Sequence, residues 1–346
     1  MSHHHNFSSN RTLSGKKTFQ GGFGLVELMI SMVLGLLIIG GVLGIFISNQ
    51  QVFRSNESLG RLQENARISF ELMAREIRQA GGNPCGAKAV ANVLGNADTA
   101  WSSNWEAGSI IGFDGAQVSP AVTIGTASGE RVTGTDAIQI LSGALGNSAT
   151  VTAHDAAAAQ ITLSPANHGF TKGNLVMVCD GTSAAIAQLS EVTGANVFHL
   201  AVPTDDPGNC TADLGLPLPT GCTPSTTKTV QPGGIVSEFS AGTWYVANND
   251  RGGKSLFRKG TGNAEEIAEG VVGMELEYLL RDEATAVLDS NWVAASAITD
   301  WTPAAAKQVV AVRLKLKLET LGKVGTNQQA VSRDLVYVVN LRNRFN

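Results

Sequence analysis

From Phe23 to Ile47 runs a stretch of 25 residues whose single charge is Glu27. Nothing else in the chain restricts its fold as much. At 1.5 Å per residue the run makes about 37 Å of helix, enough to cross a hydrocarbon core about 30 Å thick. Upstream, residues 1–22 carry Arg11, Lys16 and Lys17 and no acid. A basic leader stays in the cytoplasm, which leaves everything after Ile47 outside. A cleaved secretory signal would have an apolar core of about 7–15 residues and a small-x-small exit. This run is longer, and its exit, ISNQQVFRSNESLG, has no Ala-x-Ala. The acid is the anomaly. A carboxylate costs on the order of 2.5–3.5 kcal/mol at the centre of a membrane helix and less near its end, and such residues have functional partners.

After Ile47 the pattern turns amphipathic. Leu59, Leu62, Ala66, Phe70, Met73, Ile77 and Ala80 recur at spacings of three and four, with Arg61, Glu64, Arg67, Arg75 and Glu76 between them. Gly81, Gly82 and Pro84 then stop the helix. The two stretches together predict one helix of about 58 residues, about 87 Å long. Residues 83–135 read as irregular loops and short strands. From 136 onward strand signals follow one another: AIQILS, QITLS, NLVMVC, VFHLA and TWYVAN, then the longer 271–281, 309–319 and 335–343. In 309–319, Val310, Val312, Leu314, Leu316 and Leu318 alternate with Arg313, Lys315 and Lys317, which predicts one buried and one wet face. Glu275 and Glu277 are placed to pair across to those cations as a solvated face.

An exported domain oxidises its thiols, and four cysteines are present: Cys85, Cys179, Cys210 and Cys222. Three connectivities are open. Cys210 and Cys222 flank a loop rich in Pro and Gly and form the natural local pair, worth about 3 kcal/mol in the chain-entropy model. Cys85 with Cys179 would then staple the end of the helix to the β domain. Catalytic and metal signatures are missing. His3, His4 and His5 lie in the leader, His154, His168 and His199 in separate segments, and no H-x-x-x-H, G-x-S-x-G or phosphate-loop motif occurs. The segments 204–209 and 248–253 read as turns, and the five tryptophans as core or interface anchors. No enzyme activity, metal or cofactor is expected. A net charge of −4 without a basic cluster gives no sign of nucleic acid as a partner.

GGFGLVELMISMVLGLLIIGGVLGIF (21–46) resembles the class III signal of type IV pilins and type II secretion pseudopilins. The resemblance implies cleavage by a prepilin peptidase between Gly22 and Phe23 and N-methylation of Phe23. Glu27 then becomes the fifth residue of the mature chain, paired with the free amine of a neighbouring subunit. An ion pair of that kind offsets two desolvation costs that either charge alone would carry. Major pilins carry a proline partway along this helix, where Gly40, Gly41 and Gly44 stand here. The implied fold is α+β and pilin-like, a long N-terminal helix packed on a large antiparallel β-sheet domain with loop insertions. Its expected parts are a leader (1–22), a transmembrane and filament-core helix (23–47), an amphipathic continuation (48–82) and a β-rich domain (83–346).

A narrower likeness joins the first. ARISFELMAREIRQAGGNPCG, GNLVMVCDGTSAAIAQLSEV, TWYVANNDRGGKSLFRKG, EEIAEGVVGMELEYLL and the closing LVYVVNLRN resemble the PilW family of minor pilins. That likeness implies a structural subunit helping to initiate the type IV pilus, in support of twitching motility. The implied place is the inner membrane, with the C-terminal domain in the periplasm, and then the pilus, at its tip. Its implied partners are other minor pilins, the major pilin, the prepilin peptidase, the inner-membrane assembly platform and a tip adhesin. The alternatives are a minor pseudopilin of a type II secretion system and a tip adhesin or DNA-binding subunit.

Overall fold

The computed structural model describes Gly22 and residues 24–87, 89–143, 146–202, 204–215, 226–325 and 329–342. The chain divides into two compact units, Met1–Arg54 and Ser55–Asn346. Its single α-helix among the described residues, α1, spans Leu25–Gln79.

Sixteen strands follow among the described residues. They are Val90–Asn92 (β1), Ile110–Phe113 (β2), Ala137–Ser142 (β3), Ser148–Asp155 (β4), Gln160–Ser164 (β5) and Leu175–Cys179 (β6). Next come Ala184–Gln188 (β7), Glu191–Thr193 (β8), Asn196–Phe198 (β9), Ile235–Glu238 (β10) and Ser240–Asn248 (β11). Lys254–Lys259 (β12), Ala264–Glu269 (β13), Val271–Asp282 (β14), Lys307–Glu319 (β15) and Ser332–Asn340 (β16) complete them. The domain is thus α+β, as expected, but its strands form three sheets: β1-β7-β6-β10-β4-β5-β9-β8, β13-β12-β11-β3-β2 and β14-β15-β16. All the strand pairs are antiparallel except β1 with β7, which makes the largest sheet mixed.

The helix buries one stripe on the second and third sheets. Leu62, Ala66, Met73, Ala74, Ile77 and Ala80 share a core with residues of β2, β3, β11, β12, β14, β15 and β16. A fully buried Met or Ile contributes about 1.5–3 kcal/mol, so Met73 and Ile77, both without exposure, are the strongest apolar anchors of this face. Phe70 lies at its margin and stacks on Tyr337 of β16, with ring centroids 3.9 Å apart. The helix ends where its glycines predict. Gly81 takes a left-handed φ of 70°, its N–H bonds the Leu141 carbonyl, and the Gly82 carbonyl accepts from Gly143.

The strand alternation of β15 is observed as read. Val310, Val312, Leu314, Leu316 and Leu318 are all without exposure, and Glu275–Lys315 and Glu277–Arg313 pair across from β14 at 2.8 Å. Before Val312 the strand is buried on both faces, because the segment leading into it folds over. The Gln308 amide donates to the carbonyls of Thr302, Pro303 and Ala305 and fastens that segment in place. The largest sheet has apolar clusters of its own, built from residues such as Val176, Val178, Val197 and Val236 on one side and Met177 and Ile186 on the other.

Candidate functional site

Two parts of the chain are candidates for function: the start of α1 and the face that holds the second half of α1 to the sheets. At the start, the N–H groups of Glu27 and Leu28 donate to the Gly24 carbonyl at 3.0 and 3.1 Å, and Ser31 Oγ donates to the Glu27 carbonyl at 2.7 Å. These bonds put Glu27 in the first turn, where the helix dipole favours a negative charge. Its carboxylate is exposed and has no ion-pair partner among the described residues. Gly22 is described, whereas Phe23 lies outside the described residues.

Around Glu27 the apolar side chains are uncovered. Leu25 is 78% exposed, Leu36 69%, Ile45 64% and Phe53 71%. Nineteen large apolar side chains stand open between Leu25 and Phe53. At about 1.5 kcal/mol each, covering them is worth roughly 30 kcal/mol. A helix like that is at equilibrium only in lipid or among other apolar helices. It is the one helix among the described residues long and apolar enough to span a membrane.

The second half of α1 is held by polar contacts as well as by its apolar stripe. Glu76 is the centre. Trp244 Nε1 on β11 donates to Glu76 Oε2, and Arg258 Nε on β12 donates to Glu76 Oε1, both at 2.7 Å. The indole is buried, and Glu76 and Arg258 expose only 15% and 22% of their side chains. About three turns earlier on α1, Asn65 Nδ2 donates to the Glu269 carbonyl at 2.8 Å. In the sequence Glu76 stands among exposed charges. The available signal is its place three after Met73 and four before Ala80, within the apolar stripe.

The expected staple is present. Cys85 and Cys179 form a disulfide with Cα atoms 5.9 Å apart, and it ties the segment after the helix to β6. Cys210 is also disulfide-bonded; Cys222, its expected partner, lies outside the described residues. The structure unites two histidines that the sequence keeps apart. His154 Nδ1 accepts the Val230 N–H at 2.9 Å, so its Nε2 carries the proton and donates to His199 Nε2 at 3.1 Å. Burial, and then the neighbouring His154, push the His199 imidazole down to about 4. The pair is a polar contact between the half-buried His154 of β4 and the buried His199 of the chain after β9. No group of three or more His, Cys, Asp or Glu suited to a metal occurs among the described residues. The segments 204–209 and 248–253 form turns, with Asn209 and Asn249 buried and bonded to their own loops and neighbours. Trp244 and Trp105 are core residues, Trp301 packs edge-on to Tyr278, and Trp292 lies under the Arg313 guanidinium.

One long N-terminal helix, apolar and open at first and then packed on a β domain, is the α+β arrangement expected from the sequence. Residues 243–339 match the family model PilW, described as Type IV Pilus-assembly protein W. The match runs from within β11 to within β16 and includes Trp244, Arg258 and Tyr337, three of the side chains that hold α1. It supports a PilW-family type IV pilus protein, with involvement in type IV pilus assembly. No curated protein and no solved structure matches the chain.

Proposed function

We propose that this chain is a structural minor pilin that helps to initiate type IV pilus assembly. The observation that carries the reading is the uncovered helix bearing one unpaired carboxylate in its first turn, on a chain whose C-terminal strands match a pilus-assembly family. Before assembly the helix spans the inner membrane and the β domain lies in the periplasm. A prepilin peptidase cuts between Gly22 and Phe23, and Phe23 is methylated. On entry to the filament the open apolar faces are covered by the helices of other minor pilins and of the major pilin. Glu27 pairs with the amine of a neighbouring Phe23, so that both charges leave water together and set the axial register. The β domain takes its place at or near the tip and contributes to pilus functions such as twitching motility. Its role is one of assembly, with no catalytic step.

The test is Glu27→Ala at native expression. The expected result is normal processing and a normally folded domain, with fewer pili and less of this chain in the filament fraction. Unchanged piliation and unchanged incorporation would sink the pairing mechanism.

A further inference from the structure

A cavity of about 730 Å³ opens between the last turns of α1 and the end of β16, lined by Arg75, Arg78, Gln79, Val338, Asn340 and Arg342 among others. No carboxylate lines it among the described residues. None of its three guanidinium groups has an ion-pair partner among the described residues. Of the other arginines on α1, Arg61 pairs with Glu57 and Arg67 with Glu71, each at 2.8 Å, while Arg54 has no ion pair among the described residues. Arg75 also lines a second opening that holds Glu76 and Glu238, and the carboxylates on that side have other bonds. Glu71 serves Arg67, Glu76 serves Trp244 and Arg258, and Glu238 accepts the Asn147 N–H. A cation in the last turn suits the helix dipole, which accounts for Arg78 alone. It does not account for Arg75 or Arg342 at the same opening. Like charges that converge without a counter-ion repel, so an anion placed among them gains from all three.

The neighbouring surface says which anion. One edge of the three-stranded sheet is closed, because Val293 and Leu288 bridge back to Tyr278 and Arg281 of β14. The other edge is β16, which has β15 on one side and no further strand among the described residues. Val336 and Val338 on β16 are 56% and 53% exposed. An extended peptide offers N–H and C=O groups to such an edge and apolar side chains to the two valines. A nucleic acid lacks the regular N–H and C=O spacing of a β-strand that such an edge pairs with. We propose that the arginine cavity binds the carboxylate side chains of an extended acidic segment of a partner protein, laid along β16. Each guanidinium holds a carboxylate in the two-pronged geometry that lysine lacks. The chemistry of the cavity stands without the pilus reading; naming the partner as a neighbouring pilus subunit rests on it.

The probe is a labelled peptide of alternating Glu and Val, roughly eight residues long, matched to the length of an edge strand. Its controls are a Lys-Val twin and a single-stranded DNA of similar length. Binding is read by fluorescence anisotropy on the full oxidised chain in detergent. The expected result is binding of the Glu-Val peptide alone, weakened about tenfold or more by Arg75→Ala with Arg78→Ala, and weakened again by salt. Arg342→Ala, outside the helix, gives a second variant, and Arg61→Ala serves as a neutral control. Equal binding of the Lys-Val twin, indifference to both sets of arginine changes, or tighter binding of DNA would each overturn the proposal. A photo-crosslinker at Val338 in cells then tests the partner. A link to a pilus subunit supports both readings, whereas a link only to other acidic proteins, with the peptide result intact, removes the pilus subunit as partner and leaves the cavity's chemistry standing.

Discussion

Replacing Glu76 by alanine is the sharpest test of how α1 is fixed to the β domain. The substitution breaks two 2.7 Å bonds at once, to residues 168 and 182 positions away in the chain. Removing one partner of a fully buried ion pair costs about 3–5 kcal/mol. Arg258 keeps 22% of its side chain exposed, so water recovers part of that loss, and we take about 2 kcal/mol. The Trp244 indole is buried, and a stranded N–H adds about 1 kcal/mol. The total is about 3 kcal/mol, which for a unit of this size lowers the melting temperature by roughly 6–12 °C. Glu76→Gln keeps an acceptor for the indole and loses the charge, so its effect falls between that of alanine and none. The assay is urea unfolding of the full chain in detergent, with hydrogen exchange to locate the loss. Protection should drop in residues 69–80 and hold in β6 and β10. A loss below about 1 kcal/mol for Glu76→Ala, or strict additivity with Arg258→Met in a double-mutant cycle, would refute the clamp.

Other outcomes follow from the same contacts. Cys85→Ala with Cys179→Ala should destabilise the β domain by about 2–5 kcal/mol without changing processing, measured by denaturation with and without reductant. Alkylation of the native chain without reductant should label no cysteine. His199 is held below its ordinary range, at about 4, so the unfolded chain takes up its proton first as the pH falls. Its contribution is complete above about pH 6.5 and is lost on the way down to about 4, by about 3 kcal/mol. Asp136 runs the opposite way: burial raises its carboxyl to about 6, so acidification from there stabilises the fold. The two nearly cancel in the native chain. Asp136→Asn should therefore expose a steep loss of stability between pH 6.5 and 4, and adding His199→Gln to it should remove that loss, whereas His199→Gln alone should leave a gain on acidification, all read from denaturant midpoints.

How much of this was legible in the residues depends on where each signal resides. The helix and the β14–β15 pair carry their periodicity in their own side chains, so the stripe with Met73 and Ile77 and the alternation from Val310 to Leu318 mark the core face directly. Strand β7, AAIAQ, is buried along its whole length and mostly alanine, and it shows neither alternation nor β-branched enrichment. Strand β4 begins with Ser-Ala-Thr and alternates weakly. The split into three sheets, and the parallel pairing of β1 with β7, arise from long-range closure that local pattern does not encode. The same holds for the polar contacts. Glu76 reads as a solvated charge until Trp244 and Arg258 are brought to it, and His154 and His199 read as scattered until two strands meet. Glu27 is the reverse case. The proposal about it rests on its position relative to Gly22 and Phe23, which is a local property of the sequence.

The central claim is that this chain is processed as a pilin and enters the filament. Mass spectrometry of its mature N-terminus, on native membranes and on sheared pili, tests that most directly. The account predicts a chain that begins at methylated Phe23, present in both fractions. A chain that keeps residues 1–22 and is absent from sheared pili would contradict it.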